Sequence, residues 1–316
     1  MHRFPSAAFA VPLPVLFAAV AALAPPSVEA QSPADIVPVT DAMLREPAPE
    51  DWPMWRRTHD GWGYSPLDQI DRDNVGDLRM VWTRALHEGS NQGTPLAYGG
   101  VLYMPNPGDV IQALDAATGD LRWEYRRDHP DDLEEHVISV LSQINRNIAI
   151  HDRFIIDTSA DDFVFALDVA TGRLAWETEI LDYRTLPAHQ SSGPIVGDGK
   201  IFSGRGCMPE SGPNACVVTA HDAATGEELW RRRLIPAPGE PGDETWGSVP
   251  FEERRHVGAW MVPSYDTELD LVYFGTSVTS PAPKFFLGGI ENTHLYHNST
   301  LALDADTGEI RWYYQH

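Results

Sequence analysis

Two cysteines, one glycine-rich stretch and one recurring acid are the places in this 316-residue sequence where residue type and spacing first suggest chemistry. Cys207 and Cys216 are the only cysteines. Nine positions apart, they either close a small loop as a disulfide, if their Cβ atoms meet, or stay as two buried thiols. The run GPIVGDGK (Gly193 to Lys200) looks like a phosphate-binding loop. Its spacing is one residue too long, however, and Ile201 stands where that loop needs a Ser or Thr, so with strand-like runs on both sides it reads as a hairpin turn. No paired-His zinc motif, nucleophile-elbow Ser or C-x-x-C-H haem site is present, and most of the 12 histidines read as surface or satisfied core residues. The recurring acid is Asp115, Asp168, Asp222 and Asp304, each inside nearly the same words: ALDAATGDLRW, ALDVATGRLAW, AHDAATGEELW and ALDADTGEIRW.

Those words describe a structural element before they describe a reaction. Each copy is an Asp, two residues, Thr-Gly, three residues and a Trp. Gly accepts the positive φ of a tight turn, and Asp can accept hydrogen bonds from backbone N–H groups two residues on. The flanks alternate in polarity, as in VIQALDAATGDLRWEYR, which is strand patterning. Each copy is therefore expected to be a β-hairpin ending in a large aromatic. One hairpin cannot bury a Trp, so Trp123, Trp176, Trp230 and Trp312 each need a neighbouring sheet, which a stack of equivalent sheets supplies. The first two intervals, 53 and 54 residues, suit one four-stranded propeller blade, and the third, 82 residues, implies a blade with an insertion. Further strand pairs at PLAYGGVLYMP, RNIAIHDRFIIDTS and PIVGDGKIFSGR supply each blade's first hairpin. An all-β propeller follows; a solenoid competes, but its repeats are usually shorter.

Composition is globular, with 42% hydrophobic and 22% charged residues. A formal net charge of −23 argues against a nucleic-acid or anionic-membrane partner. Residues 1–30 carry Arg3, an apolar run from about Ala7 to Ala24 and small residues ending at Ala30, the layout of a secretory signal peptide. A membrane anchor is the competing reading, but Pro12 and Pro14 interrupt the run and no later stretch is long enough to span a bilayer. Residues 31–50 form an N-terminal extension and 51–316 the propeller domain. Export places Cys207 and Cys216 in an oxidising compartment.

The four repeats, with the opening segment DWPMWRRTHDGWGYSPLDQIDRDNVGDLRMVW (Asp51 to Trp82), resemble the pyrroloquinoline quinone (PQQ) dependent alcohol dehydrogenases. The likeness runs from Asp51 to His316. It implies a periplasmic propeller of eight blades joined by this docking motif, of which about four are here, an incomplete ring. It also implies PQQ on the propeller axis, stacked on a Trp, with Ca²⁺ beside its quinone carbonyl.

Carried over by motif, GAWMVPSYD puts the stacking role on Trp260, INRNIAI puts the Arg that reaches the quinone oxygens at Arg146, and QGTPL places Gln92 where the family often has an acid. Ser191 in HQSSGP falls near a hydroxyl that bonds a cofactor carboxylate. CMPESGPNAC resembles the segment that supplies a Ca²⁺-binding Glu, here Glu210. An acid framed by two cysteines and two prolines sits on a short, stiff loop, which suits a metal ligand.

Three departures from the family pattern stand out. VLSQINR lacks the adjacent cysteines of the methanol oxidisers. GTSVTSPAP has no Asn, so Thr279 or Ser280 would have to serve as the neutral calcium ligand. The family's catalytic Asp comes soon after the fourth docking repeat, whereas this sequence stops four residues beyond Trp312. Residues 1–316 alone are therefore expected not to turn over an alcohol, which PQQ- and Ca²⁺-dependent dye reduction would test. The expected partners are an alcohol substrate and a periplasmic cytochrome c or similar electron acceptor. The missing cysteines and altered calcium stretch point to the polymer-alcohol or bulky-substrate branch. A non-catalytic scaffold for protein partners and an inactive gene fragment are the other readings; convergence of Arg146, Glu210 and Trp260 on one cleft separates the enzyme from the scaffold.

Overall fold

The computed structural model describes residues 36–138, 144–277 and 290–316; the expected signal peptide, Thr279 and Ser280 lie outside them. Four antiparallel four-stranded sheets follow one another along the chain. The first is β1 (Leu96–Tyr98), β2 (Val101–Asn106), β3 (Val110–Asp115) and β4 (Leu121–Arg126). The second is β5 (Ala149–His151), β6 (Phe154–Thr158), β7 (Phe163–Asp168) and β8 (Leu174–Glu179). In the third, the short β9 (Ala188–His189) precedes β10 (Ile195–Gly197) and β11 (Lys200–Ser203), and the short β12 (Gly206–Cys207) precedes β13 (Val217–Asp222) and β14 (Glu228–Arg233). The fourth is β15 (Ser264–Asp266), β16 (Leu271–Gly275), β17 (Ser299–Asp304) and β18 (Ile310–Gln315). Each sheet is ordered as a simple meander, with β9 pairing β12 outside the third. Strand β10 packs against both β5 and β15, so the first strands of successive sheets converge, as propeller blades do. The propeller is not closed.

The repeated words form the third hairpin of every blade. The Asp carboxylate accepts the backbone N–H groups that follow it: Asp168 takes Ala170 at 3.2 Å and Thr171 at 2.9 Å, and Asp222 takes Ala224 at 2.9 Å and Thr225 at 2.8 Å. The register then shifts between Ala113 and Leu114, and at the matching step of the other three copies. The extra residue turns the strand and carries the Trp onto the next blade.

Glycine at the turn is required twice over. Gly172 has φ +68°, and a Cβ there would lie 2.5 Å from the Trp123 ring; Gly226 (φ +77°) meets Trp176, and Gly308 (φ +67°) meets Trp230, at the same distance. The indole N–H of Trp123 donates to Val169 O at 3.0 Å, and that of Trp230 to Ala305 O at 2.8 Å. A fifth joint was not anticipated from the four copies. Gly119 (φ +75°) receives Trp82, whose indole donates to Ala116 O at 3.2 Å, so the opening segment ends in a docking Trp without carrying the full motif. Trp123 and Trp230 are buried, at 9% and 8% exposure, and Trp176 partly so. Trp312 departs from the expectation: it is 46% exposed, because among the described residues no turn covers it.

The N-terminal extension also contributes to the core. Ile36, Val39 and Leu44 are buried, and Val39 bridges Asp152. The short helix α1 (Asp41–Arg45) is capped by Thr40, and its Asp41 accepts the Gly199 N–H at 3.2 Å while facing His151 at 3.4 Å. One carboxylate thereby ties the second blade to the third. Helix α2 (Leu133–His136) is a single turn, and no helix among the described residues is long and apolar enough to cross a membrane.

Candidate active site

A cleft of about 660 Å³ opens at one end of the second, third and fourth blades. It is lined by segments just before β5, β10, β15 and β17, by β9 and β12, and by the end of β16. Antiparallel order brings first-strand starts and second-strand ends to the same edge, so residues far apart in sequence converge there. Arg146, Ser191 and Trp260 all line this cleft.

Trp260 is held by backbone rather than by side-chain packing. Its segment lies along residues 204–207: the Ala259 N–H donates to Arg205 O at 2.8 Å, and a Cβ on Gly258 would lie 3.0 Å from Gly206 Cα. A Cβ on Gly206 would instead meet the His189 ring. On the other side of Gly258, its N–H donates to Ser277 Oγ at 3.0 Å. The indole keeps 38% of its surface exposed, a large value for a Trp gripped at its backbone.

The Arg146 guanidinium stands 5.0 Å from the centre of that indole, within cation–π range, and donates to Ser191 O at 2.8 Å. Burial lowers the Arg146 pKa, and no carboxylate pairs with it among the described residues. A half-buried cation without an acid, beside an exposed aromatic face, is an arrangement that an anionic planar ligand completes.

Glu210 is exposed in a 3-10 turn between the two cysteines, which form a disulfide with Cα atoms 4.9 Å apart. The loop's inner end is fixed where Cys207 pairs with Ala188 and Ser211 Oγ donates to Pro187 O. Glu210 does not line the cleft, but its charge acts on His256, which does. Gln92 is exposed and donates to Ser90 Oγ at 3.3 Å. It lies outside the cleft lining, although its neighbour Thr94 donates its N–H to Arg146 O.

Two histidines, His189 and His256, also line the cleft, and their residue types alone do not mark them in the sequence. His189, two positions before Ser191, packs its imidazole over Gly206; burial pushes its pKa down to about 4, and the charges of His256 and Arg146 act the same way. His256, four positions before Trp260, has φ +66°, and Cys207 O lies 2.9 Å from its Nδ1. The available signal was adjacency to the two motifs; nothing in residue type set these two apart from the other histidines.

A separate group, Asp109, His129 and Asp161, has ligand-type atoms within 4.8 Å of one another. It is satisfied internally. Arg127 makes two bonds to Asp161, at 2.6 and 2.8 Å, and Asp109 Oδ2 takes the Ala160 N–H at 2.7 Å and lies 2.8 Å from His129 Nε2.

Comparison with known proteins gives a consistent picture. The family model described as PQQ, glucose/ethanol/alcohol dehydrogenase, beta-propeller domain, matches residues 52–316. The quinohemoprotein alcohol dehydrogenase ADH-IIG of Pseudomonas putida is 31% identical over 283 residues, which are 84% of this chain and 38% of that protein. The dehydrogenase subunit of the alcohol dehydrogenase (quinone) of Gluconobacter oxydans is 32% identical over 288 residues, with the same coverage. The solved structure of the Pseudomonas putida ADHIIG enzyme superposes with a TM-score of 0.77 at 30% identity, covering 89% of this chain and 42% of that one. A europium-containing methanol dehydrogenase gives 0.74 at 26% identity, covering 87% and 50%. The chain spans about 38% of the length of these curated relatives.

Proposed function

The chain belongs to the PQQ glucose/ethanol/alcohol dehydrogenase β-propeller family, and on that premise we propose that its cleft holds PQQ in a periplasmic enzyme that oxidises an alcohol. The observation that carries this reading is the pairing of an exposed indole, Trp260, with a guanidinium that has no acid, Arg146.

Trp260, Arg146 and Ser191 fit the group, whereas Glu210 and Gln92 lie outside the cleft lining, so the expected convergence is met in part. A flat polyanion needs an aromatic floor and cationic donors, and Trp260 and Arg146 supply them on one cleft wall. The Ser191 carbonyl holds the guanidinium in place, and the Ser191 hydroxyl is the donor for a carboxylate of the ligand. Bound PQQ supplies the electrophilic carbon that accepts hydride from the alcohol. Arg146 then stabilises negative charge developing on oxygen, in a site where burial makes such an interaction stronger than in water. By motif Glu210 would hold Ca²⁺, although it stands outside the cleft lining, with Thr279 or Ser280, which lie outside the described residues, as neutral oxygen donors. Electrons leave to a periplasmic cytochrome c or a similar acceptor.

The test is dye reduction by the protein that carries this chain, reconstituted with PQQ and Ca²⁺ and given primary, secondary and polymeric alcohols. Alcohol-dependent reduction that requires PQQ, and that Arg146→Ala lowers by about 10²-fold, is the expected result. Saturable PQQ binding without reduction of dye by any alcohol would contradict the dehydrogenase reading and favour a binding role.

A further inference from the structure

Resting on that reading, we propose that Arg205 and Asp162, a buried ion pair outside the cleft lining, are positioning residues that set Trp260 against Arg146 for the cofactor. Both side chains are fully buried, and Arg205 Nε stands 3.5 Å from Asp162 Oδ1. Arg205 follows β11 in the third blade, and Asp162 sits in the turn between β6 and β7 in the second. The pair therefore joins two blades. Neither residue lines the cleft, but both are fastened to segments that do.

The fastening follows two routes. On the first, Arg205 O accepts the Ala259 N–H at 2.8 Å, so the backbone of Arg205 carries the segment that presents Trp260. On the second, Asp162 Oδ1 accepts a hydrogen bond from Gln190 Nε2 at 2.6 Å. Gln190 is itself buried, between His189 and Ser191, and Ser191 O is the acceptor for the Arg146 guanidinium. The two segments also meet directly, where Ser192 Oγ donates to Gly204 O at 2.9 Å. Trp260 and Arg146, 5.0 Å apart, thus hang from two stretches of chain that one buried polar group keeps in register.

Energetics points away from stability as the use of this pair. Taking two charges out of water is costly, and their attraction recovers that cost only with close, well hydrogen-bonded geometry. The 3.5 Å contact is longer than the roughly 2.7–2.9 Å of a charge-assisted hydrogen bond. Arg205 Nη2 donates instead to Thr219 Oγ1, at 3.2 Å. Burial lowers the pKa of Arg205 and raises that of Asp162, and the charge of each partner opposes the other's shift. Apolar side chains of similar volume would fill the space without loss of stability. They would not fix direction, which is what charge and hydrogen bonds add here.

The test is the double variant Arg205→Met with Asp162→Asn, made in the protein that carries this chain. Met keeps much of the length of Arg without its charge, and Asn tolerates the φ of +64° at position 162. Three results are expected. The urea midpoint matches or exceeds that of wild type. Affinity for PQQ, read by tryptophan quenching, falls by about 10-fold, since a displaced wall misplaces both contacts. In protein labelled with 5-fluorotryptophan, the ¹⁹F resonance of Trp260, assigned through Trp260→Phe, moves without PQQ present, while those of Trp123 and Trp230 at the blade joints stay.

An affinity within about threefold of wild type, or an unmoved Trp260 resonance, overturns the inference. So does a double variant less stable than wild type whose joint resonances shift as well, which would mark the pair as a general staple. Gln190→Met cuts the Asp162 route alone and leaves the ion pair in place. It should weaken PQQ binding by at least about threefold, and an unchanged affinity would also overturn the inference. Wild-type protein that binds no PQQ would sink the cofactor reading instead, while the ¹⁹F spectrum still reports on the placing of Trp260.

Discussion

Arg146 and Trp260 show how much of a site one side chain can carry when its neighbours are backbone. The guanidinium rests on Ser191 O and the indole, and neither contact neutralises it. Arg146→Lys should weaken PQQ binding nearly as much as Arg146→Ala, because an ammonium loses the planar stacking and the fork that a carboxylate needs. Binding isotherms of the two variants check this. Both positions were read only through the family resemblance of INRNIAI and GAWMVPSYD, and the structure brings the two side chains into one cleft. The place of His256 in the cleft was not read, since it depends on a carbonyl 49 residues away. Buried histidines give a second prediction. Burial holds His189 and His221 at about 4 and His297 at about 3, so each is neutral when folded and binds a proton when unfolded. Below pH 6.5 the unfolded state takes up more protons, and stability falls as pH drops toward 4, by about 1.4 kcal/mol per pH unit for each such residue. His221, fully buried in β13 with neither nitrogen hydrogen-bonded, isolates the effect. His221→Leu should gain about 2 kcal/mol relative to wild type on going from pH 7 to pH 5 in urea unfolding.

At the scale of the element, the blade joint is a glycine turn pressed onto an indole. Gly172→Ala must place a methyl 2.5 Å from the Trp123 ring and hold an L-residue at φ +68°. A loss of about 2–4 kcal/mol is expected, from overpacking together with backbone strain, and urea unfolding measures it. Removing the Cys207–Cys216 bridge is the other element-scale change. Its short loop predicts a cost of about 2–3 kcal/mol. Because Cys207 O lies 2.9 Å from His256 Nδ1, the double Cys→Ser variant should also broaden or shift the His256 ring signals, which a purely entropic staple would leave alone. The joints were readable because an indole needs cover and a Thr-Gly turn supplies it. Trp82 was missed because it follows no Asp-x-x-Thr-Gly turn; only the fold shows that Gly119 receives it.

Across the whole molecule, four meander sheets follow one another; the first strands of the second, third and fourth converge, and one cleft lies at the edge these three share. The repeat made the architecture legible, since period, turn and aromatic all agree on it. The cleft was legible only through resemblance, because three blades contribute to it and no local pattern says which loops meet. Glu210 illustrates the gap: its motif placed it with the cofactor residues, while the structure sets it on the loop behind His256, outside the cleft lining. The central question for the molecule is whether this cleft takes PQQ at Trp260. Titrating the protein with PQQ and following tryptophan fluorescence, beside Trp260→Ala and Arg146→Ala, tests that claim directly. Saturable one-to-one quenching by wild type, with affinity at least tenfold weaker in both variants, is the predicted result. Equal binding by all three proteins, or none by wild type, would contradict it.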